Sequence, residues 1–139
     1  MIILDTNVVS EPMKKAGDQN VQEWIDRQDA NAVHLTAPSL AELLFGLETL
    51  PNGKRKRDLV DIFKTLEERF FSGRILPFDQ TAARHYAKLC ADTRAKGRQP
   101  EIFDAQIAAI ALAHNCPVAT RDTAPFLAAG VEVINPWAL

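Results

Sequence analysis

Four acidic residues hold positions from which carboxylates could be brought together: Asp5, Glu42, Asp104 and Asp122. Asp5 follows the apolar run Ile2-Ile3-Leu4 and Asp122 follows Val118-Ala119-Thr120, so each is expected just beyond a buried strand. Either could instead serve only to cap the next helix. Asp104 is the one formally charged residue from Ile102 to Ala119, with His114 counted as neutral. A carboxylate in so apolar a helix, with small neighbours Ala108 and Ala111, is expected to be part-buried and to need a compensating cation. The bland alternative is a salt bridge to Lys or Arg. Glu42 lies off the stripe made by Leu40, Leu43 and Leu47, beside Phe45 and Thr49, and a surface glutamate is its alternative. Thr6, Asn7 and Thr120 adjoin these acids and suit orienting or water-holding roles, or ordinary turns.

Carboxylates from separate elements suit a hard cation such as Mg²⁺, which takes a few protein oxygens and keeps waters for substrate phosphates. Such an ion lowers the pKa of bound water and clamps a phosphodiester during in-line displacement. Periodicity alone does not place the four acids together. Other chemistries have less support. His34, His85 and His114 are isolated, without zinc-site spacing. No glycine-rich phosphate loop and no G-x-S-x-G elbow is present. A haloacid-dehalogenase-like phosphoaspartyl mechanism through Asp5 is the chemical rival. It calls for a second Asp two residues on, where Asn7 stands.

The elements that must position these groups alternate. Strands are expected at Ile2–Leu4, around Val33 and Leu35, from Arg74 to Phe78, at 118–120 and from Val131 to Ile134. Between them come about seven helices. Asn20 is the expected cap of one, Asp58 of a second and Asp79 of a third. Leu59, Phe63, Leu66 and Phe70 make the strongest amphipathic stripe. Another helix is expected from about Ile102 to Asn115. Short apolar strands separated by helices predict an α/β fold, a mainly parallel five-stranded sheet with helices on both faces. Sites in such folds lie beyond the carboxyl ends of the strands.

The 139 residues suit one domain, 1–139, and 47% apolar with 24% charged residues is an ordinary globular balance. A net charge of −2 excludes tight binding of nucleic acid by bulk charge alone. Any such site needs a local basic patch or metal ions. Cys90 and Cys116 make no disulfide framework and are expected as small buried residues. No signal-peptide pattern and no stretch of about 20 apolar residues is seen, so a soluble, cytoplasmic protein is expected, with no membrane partner.

At these residues the chain resembles the PIN-domain ribonucleases, and more closely the FitB-like branch of the VapC-type toxins. Ile3-Leu4-Asp5-Thr6-Asn7 followed by Ser10-Glu11-Pro12 is similar to that branch's opening. Ala41-Glu42-Leu43, the run 73–79, Asp104 to Ala109, Ala119 to Asp122 with Phe126, and Asn135-Pro136-Trp137 extend the likeness over the whole chain. The resemblance implies a PIN-like three-layer fold and a metal-dependent endoribonuclease. It assigns Asp5, Glu42, Asp104 and Asp122 as metal-binding, catalytic acids, with Asn7 and Thr120 in support. It also implies Mg²⁺ or Mn²⁺, an RNA substrate, a homodimer and an inhibiting VapB-type antitoxin. Many relatives carry a further acid near the third carboxylate; Glu101 is the nearest candidate, outside the core set for want of register.

Two further expectations come from the residues themselves. The basic run Lys54, Arg55, Lys56 and Arg57 reads as a solvated loop or, with Arg94 and Arg98, as an RNA-steering rim. Trp24, Phe70 and Phe71 offer apolar surface that a homodimer would bury, unless it packs within the monomer. A non-catalytic module whose acidic pocket receives a basic partner segment is the alternative of a different class.

Overall fold

The structure, a computed structural model, describes residues 1–139. Five short strands alternate with helices as expected: β1 (Ile2–Leu4), β2 (Val33–Thr36), β3 (Ile75–Leu76), β4 (Val118–Ala119) and β5 (Val133–Ile134). All four pairings are parallel, in the order β3-β2-β1-β4-β5. The chain therefore builds outward from β1 in one direction, then returns to its other side with β4. The cleft beside β1 and β4 is the topological switch point, where open parallel sheets place their ligands.

Side chains alternate across β1 and divide the core into two layers. Leu4 joins Val8, Val21, Leu35, Leu43 and Phe71 on one face, whereas Ile3 joins Ile107, Ile110, Val118 and Phe126 on the other. The first face is covered by α1 (Thr6–Ser10), α2 (Gln19–Asp26), α3 (Ala37–Glu48) and α4 (Lys54–Leu66). The second is covered by α5 (Gln80–Ala95), α6 (Ile102–His114) and α7 (Ala124–Ala128). Apolar groups surround α6 on nearly every side. Its small residues Ala105, Ala108, Ala109 and Ala111 are buried and admit α5 and the sheet closely.

Three local expectations are corrected. The α2 helix is capped by Asp18, whose carboxylate accepts from the amides of Asn20 and Val21; Asn20 lies inside the helix. The basic run is not a loop but the first turn of α4, begun at Gly53, with Lys54 bonded to Asp58 one turn on at 2.8 Å. Cys90 is only half-buried, unlike Cys116.

A fourth correction concerns the aromatic surface. After Leu66 the α4 helix widens into a π turn, Glu67–Phe71. The wider turn lets the adjacent Phe70 and Phe71 both enter the core, and each is almost fully buried. Trp24 packs against the same core. The apolar groups that stay exposed are others, with Phe45 of α3 and Ile102 of α6 the most open on their helices. No helix is long and apolar enough to cross a membrane.

Candidate active site

Asp5 ends β1 and caps α1 at once. Its Oδ1 accepts from the Thr6 amide at 2.7 Å, and its Oδ2 accepts from Thr120 Oγ1 at 2.7 Å and Asn7 Nδ2 at 3.5 Å. Capping and a role at the sheet edge are therefore not alternatives. The carboxyl group is buried, and that burial pushes its pKa up, opposed by the bonds from Thr120 and Thr6 and reinforced by the charges of Asp122 and Glu101.

Thr120 closes the end of β4 against β1. Besides donating to Asp5, its hydroxyl oxygen accepts from the Asp122 amide at 3.0 Å and from Asn7 Nδ2 at 3.3 Å. Asn7 Oδ1 in turn accepts from the Arg121 amide at 3.3 Å. This network fixes the turn that carries Asp122. Glu42, on the first half of α3, is half-buried and accepts from Thr6 Oγ1 at 3.0 Å. Burial raises its pKa, and the charges of Asp5 and Glu101 raise it further against the Thr6 bond.

Asp104 stands in the first turn of α6, where the helix dipole favours a carboxylate. Desolvation and its neighbours outweigh that preference. Burial pushes its pKa up to about 7, and the charges of Asp5, Glu101, Asp122 and Glu42 add to the shift. The alternative reading, a salt bridge from Asp104 to a basic side chain, is not made. The chain's three ion pairs join Lys14 to Glu11, Arg27 to Glu23 and Lys54 to Asp58. Asp5, Glu42 and Asp104 thus lie near enough to one another, and to the charges of Asp122 and Glu101, to be raised together, and no basic side chain pairs with them. Their carboxylates are nonetheless not gathered into a cage: no three acidic, His or Cys groups are set to grip one ion.

Glu101 belongs to this neighbourhood although its register kept it outside the expected set. It caps α6, accepting from the Asp104 amide at 2.8 Å, and its charge reaches Asp5, Glu42 and Asp104. The acid at the cap position three residues before Asp104 was the available signal. Glu11 is a second acid whose part the sequence left unexplained. It is buried, accepts from the Asp18 amide at 2.9 Å and pairs with Lys14 at 3.0 Å. The Asp18 bond is the main reason that its pKa is lowered. It braces the 11–18 segment, where a Cβ at Gly17 would collide with the Glu11 carbonyl oxygen.

A groove of about 990 Å³ lies beside Glu42, between α1, α3 and α4, and Asp5, Asp104 and Asp122 do not line it. Thr6 and Glu42 stand on its wall, Leu43, Leu47 and Leu59 line its floor, and Lys14, Lys15, Lys54 and Arg55 line it too. Half of the expected basic run, Lys54 and Arg55, therefore faces the groove. Lys56 instead reaches back to the Glu48 carbonyl at 3.1 Å, and neither it nor Arg57 lines the groove. Arg94 and Arg98 are exposed near the end of α5 and lie outside the groove as well. Lys14 and Lys15 were not expected there.

A parallel sheet in this order, with acidic groups at its switch point, is common to several α/β families; among family models, that of the PIN domain matches residues 2–131. The chain belongs to the PIN domain family. It is similar over 99% of its length to the plasmid stability protein StbB of Pseudomonas syringae pv. tomato, at 47% identity over 99% of that protein. It is 46% identical to the VapC ribonuclease Y4jK of Sinorhizobium fredii, over 99% of this chain and 98% of that one. The crystal structure of FitAcB from Neisseria gonorrhoeae contains a chain 42% identical to this one. The two superpose with a TM-score of 0.93, covering 100% of each.

Proposed function

We propose that this protein is a metal-dependent endoribonuclease acting as the toxin of a type II toxin–antitoxin system, hydrolysing RNA phosphodiester bonds. One observation carries the reading: Asp5, Glu42 and Asp104 share one acidic neighbourhood with the charge of Asp122, and no basic side chain pairs with any of the four. Relatives named as a VapC ribonuclease and a toxin support the same reading. The donor set, all carboxylate oxygen, fits a hard cation.

The four acids would hold Mg²⁺ or Mn²⁺, which when bound supplies Lewis-acid polarisation and a water acidic enough to act as a nucleophile near neutral pH. The remaining work belongs to the chain. Thr120, Asn7 and the Thr6 amide hold the Asp5 carboxylate in one orientation, and the Thr6 hydroxyl does the same for Glu42. The phosphoaspartyl alternative has little support, because Asn7, an amide that donates to Asp5, stands where that chemistry calls for a second Asp.

An antitoxin is the proposed partner, in keeping with a similar structure from Mycobacterium tuberculosis that is a member of the VapBC family of toxin-antitoxin systems. The groove beside Glu42 supports an inhibiting segment, apolar along the floor and basic where it meets the carboxylates. The same groove is the observation favouring a purely binding role. A homodimer is also proposed, now on the exposed Phe45, Leu44, Ile102 and Leu127 rather than on Phe70 and Phe71. Light scattering that shows a 15.4 kDa particle at micromolar concentration would decide against it.

The test of the activity is partner-free protein incubated with total RNA, with and without Mg²⁺, followed by mapping of the new ends. Direct attack by water leaves 5′-phosphate and 3′-hydroxyl ends. Cyclic phosphate ends, or full activity in EDTA, would overturn the metal mechanism. Clean preparations that bind a partner yet cleave nothing with Mg²⁺ or Mn²⁺ would favour the binding module.

A further inference from the structure

One cation at the carboxyl end of β4 has no part in the chemistry above. Arg121 lies between Thr120 and Asp122, its amide donating to Asn7 and its side chain exposed. While the Thr120 hydroxyl turns to Asp5, the Arg121 guanidinium lies over the Trp137 ring, 5.3 Å from its centre. That ring is fixed. Trp137 packs against the core, and its amide donates to Asn135 Oδ1 at 3.0 Å within the C-terminal turn Pro136–Ala138. Arg121 makes no ion pair. Glu11, the acid that feels its charge, is already engaged by Lys14 and the Asp18 amide.

A guanidinium stacked on an indole keeps its N–H groups at the ring edge, open to bidentate contact with a phosphate. Stacking also reduces the side-chain freedom lost when a ligand is bound. The Arg121 backbone adjoins Asp122 and Thr120 while its guanidinium turns to Trp137, which sets it beside the acidic centre and not within it. We propose that Arg121, held over Trp137, binds a backbone phosphate flanking the one that is cleaved. The substrate class is then a strand with a charged phosphate beyond the scissile bond, and Arg121 is a positioning residue. This inference rests on the nuclease reading.

The test compares wild type, Arg121→Gln and Arg121→Lys on a short single-stranded RNA cut at one mapped bond. Loss of one charge-assisted contact predicts a KM roughly tenfold higher for the Gln variant with kcat little changed. The slope of log affinity against log salt should fall by about 0.7, and Lys should restore the slope but only part of the KM. Trp137→Phe, which keeps a ring face, should stay near wild type. An RNA with an uncharged methylphosphonate at the flanking position should bring wild type to the level of the Gln variant. Equal KM and salt slope for wild type and Arg121→Gln would overturn the assignment while leaving the nuclease reading intact. A fall in melting temperature with KM unchanged would also overturn it, making the stack a pin for the C-terminal turn. Wild type that cleaves no RNA would overturn both.

Discussion

Thr120 Oγ1 donates to Asp5 Oδ2 at 2.7 Å, joining residues 115 apart in sequence. The same oxygen accepts from the Asp122 amide and from Asn7 Nδ2. A single buried hydroxyl thus ties the end of β1 to the end of β4 and sets the direction of two carboxylates.

Replacing Thr120 by Val keeps the shape but removes that hydroxyl. A buried carboxylate loses a donor and the Asp122 amide loses its acceptor, so a destabilisation of about 1–3 kcal/mol is expected, with a fall in RNA cleavage. Thr120→Ser should recover most of both. Denaturant unfolding and cleavage rates measure the pair. A Val variant as stable and active as wild type would remove Thr120 from the site.

Asp5→Asn should abolish most cleavage. Its effect on stability without metal is expected to be small, because relief of repulsion is offset by a lost acceptor at Thr120 or Thr6. The decisive reading is with Mg²⁺. At ten times Kd the ion should stabilise wild type by about 1.4 kcal/mol. In melting temperature that is a rise of roughly 3–7 °C. The variant should gain much less; equal gains in both proteins would mean that Asp5 is not a ligand.

The raised pKa of Asp104 predicts the pH dependence of the metal-free fold. The native state holds this proton up to about 7, whereas the ordinary value is 3.8. Between those values the folded chain binds more protons than the unfolded one, so stability falls as pH rises. The contribution is complete below about 4 and gone above about 7. Asp5 and Glu42, also raised, act with the same sign. In EDTA, urea unfolding should show this decline, and Asp104→Asn should flatten it. An unchanged slope in that variant would place the titration elsewhere.

Glu101 separates capping from charge. Glu101→Gln retains an acceptor for the Asp104 amide, so the fold should be little affected while the pKa of Asp104 drops. Glu101→Ala loses the cap as well, at about 1 kcal/mol. Carboxyl titration followed by NMR reports the first effect and thermal melting the second. An Asp104 titration that ignores both substitutions would show that Glu101 only caps the helix.

Strand ends were legible in the amino-acid sequence because apolar runs meet polar residues abruptly at Asp5 and at Thr120, and a parallel sheet places such points at one edge. The helix carrying Asp104 was equally plain, since a lone charge among alanines and isoleucines has little local explanation. These are short-range signals, set by adjacency and period. What decided the rest acts through space. Only the packed chain carries Glu101 to the other acids, turns Phe70 and Phe71 inward through a π turn, and sets Lys14 opposite Lys54 along one groove. The Arg121–Trp137 stack has the same origin: β5 must first lie beside β4 before the C-terminal turn can meet the end of β4. Periodicity records which face of an element is apolar. It does not record which distant element will cover that face, and that choice follows from the closure of the sheet around β1.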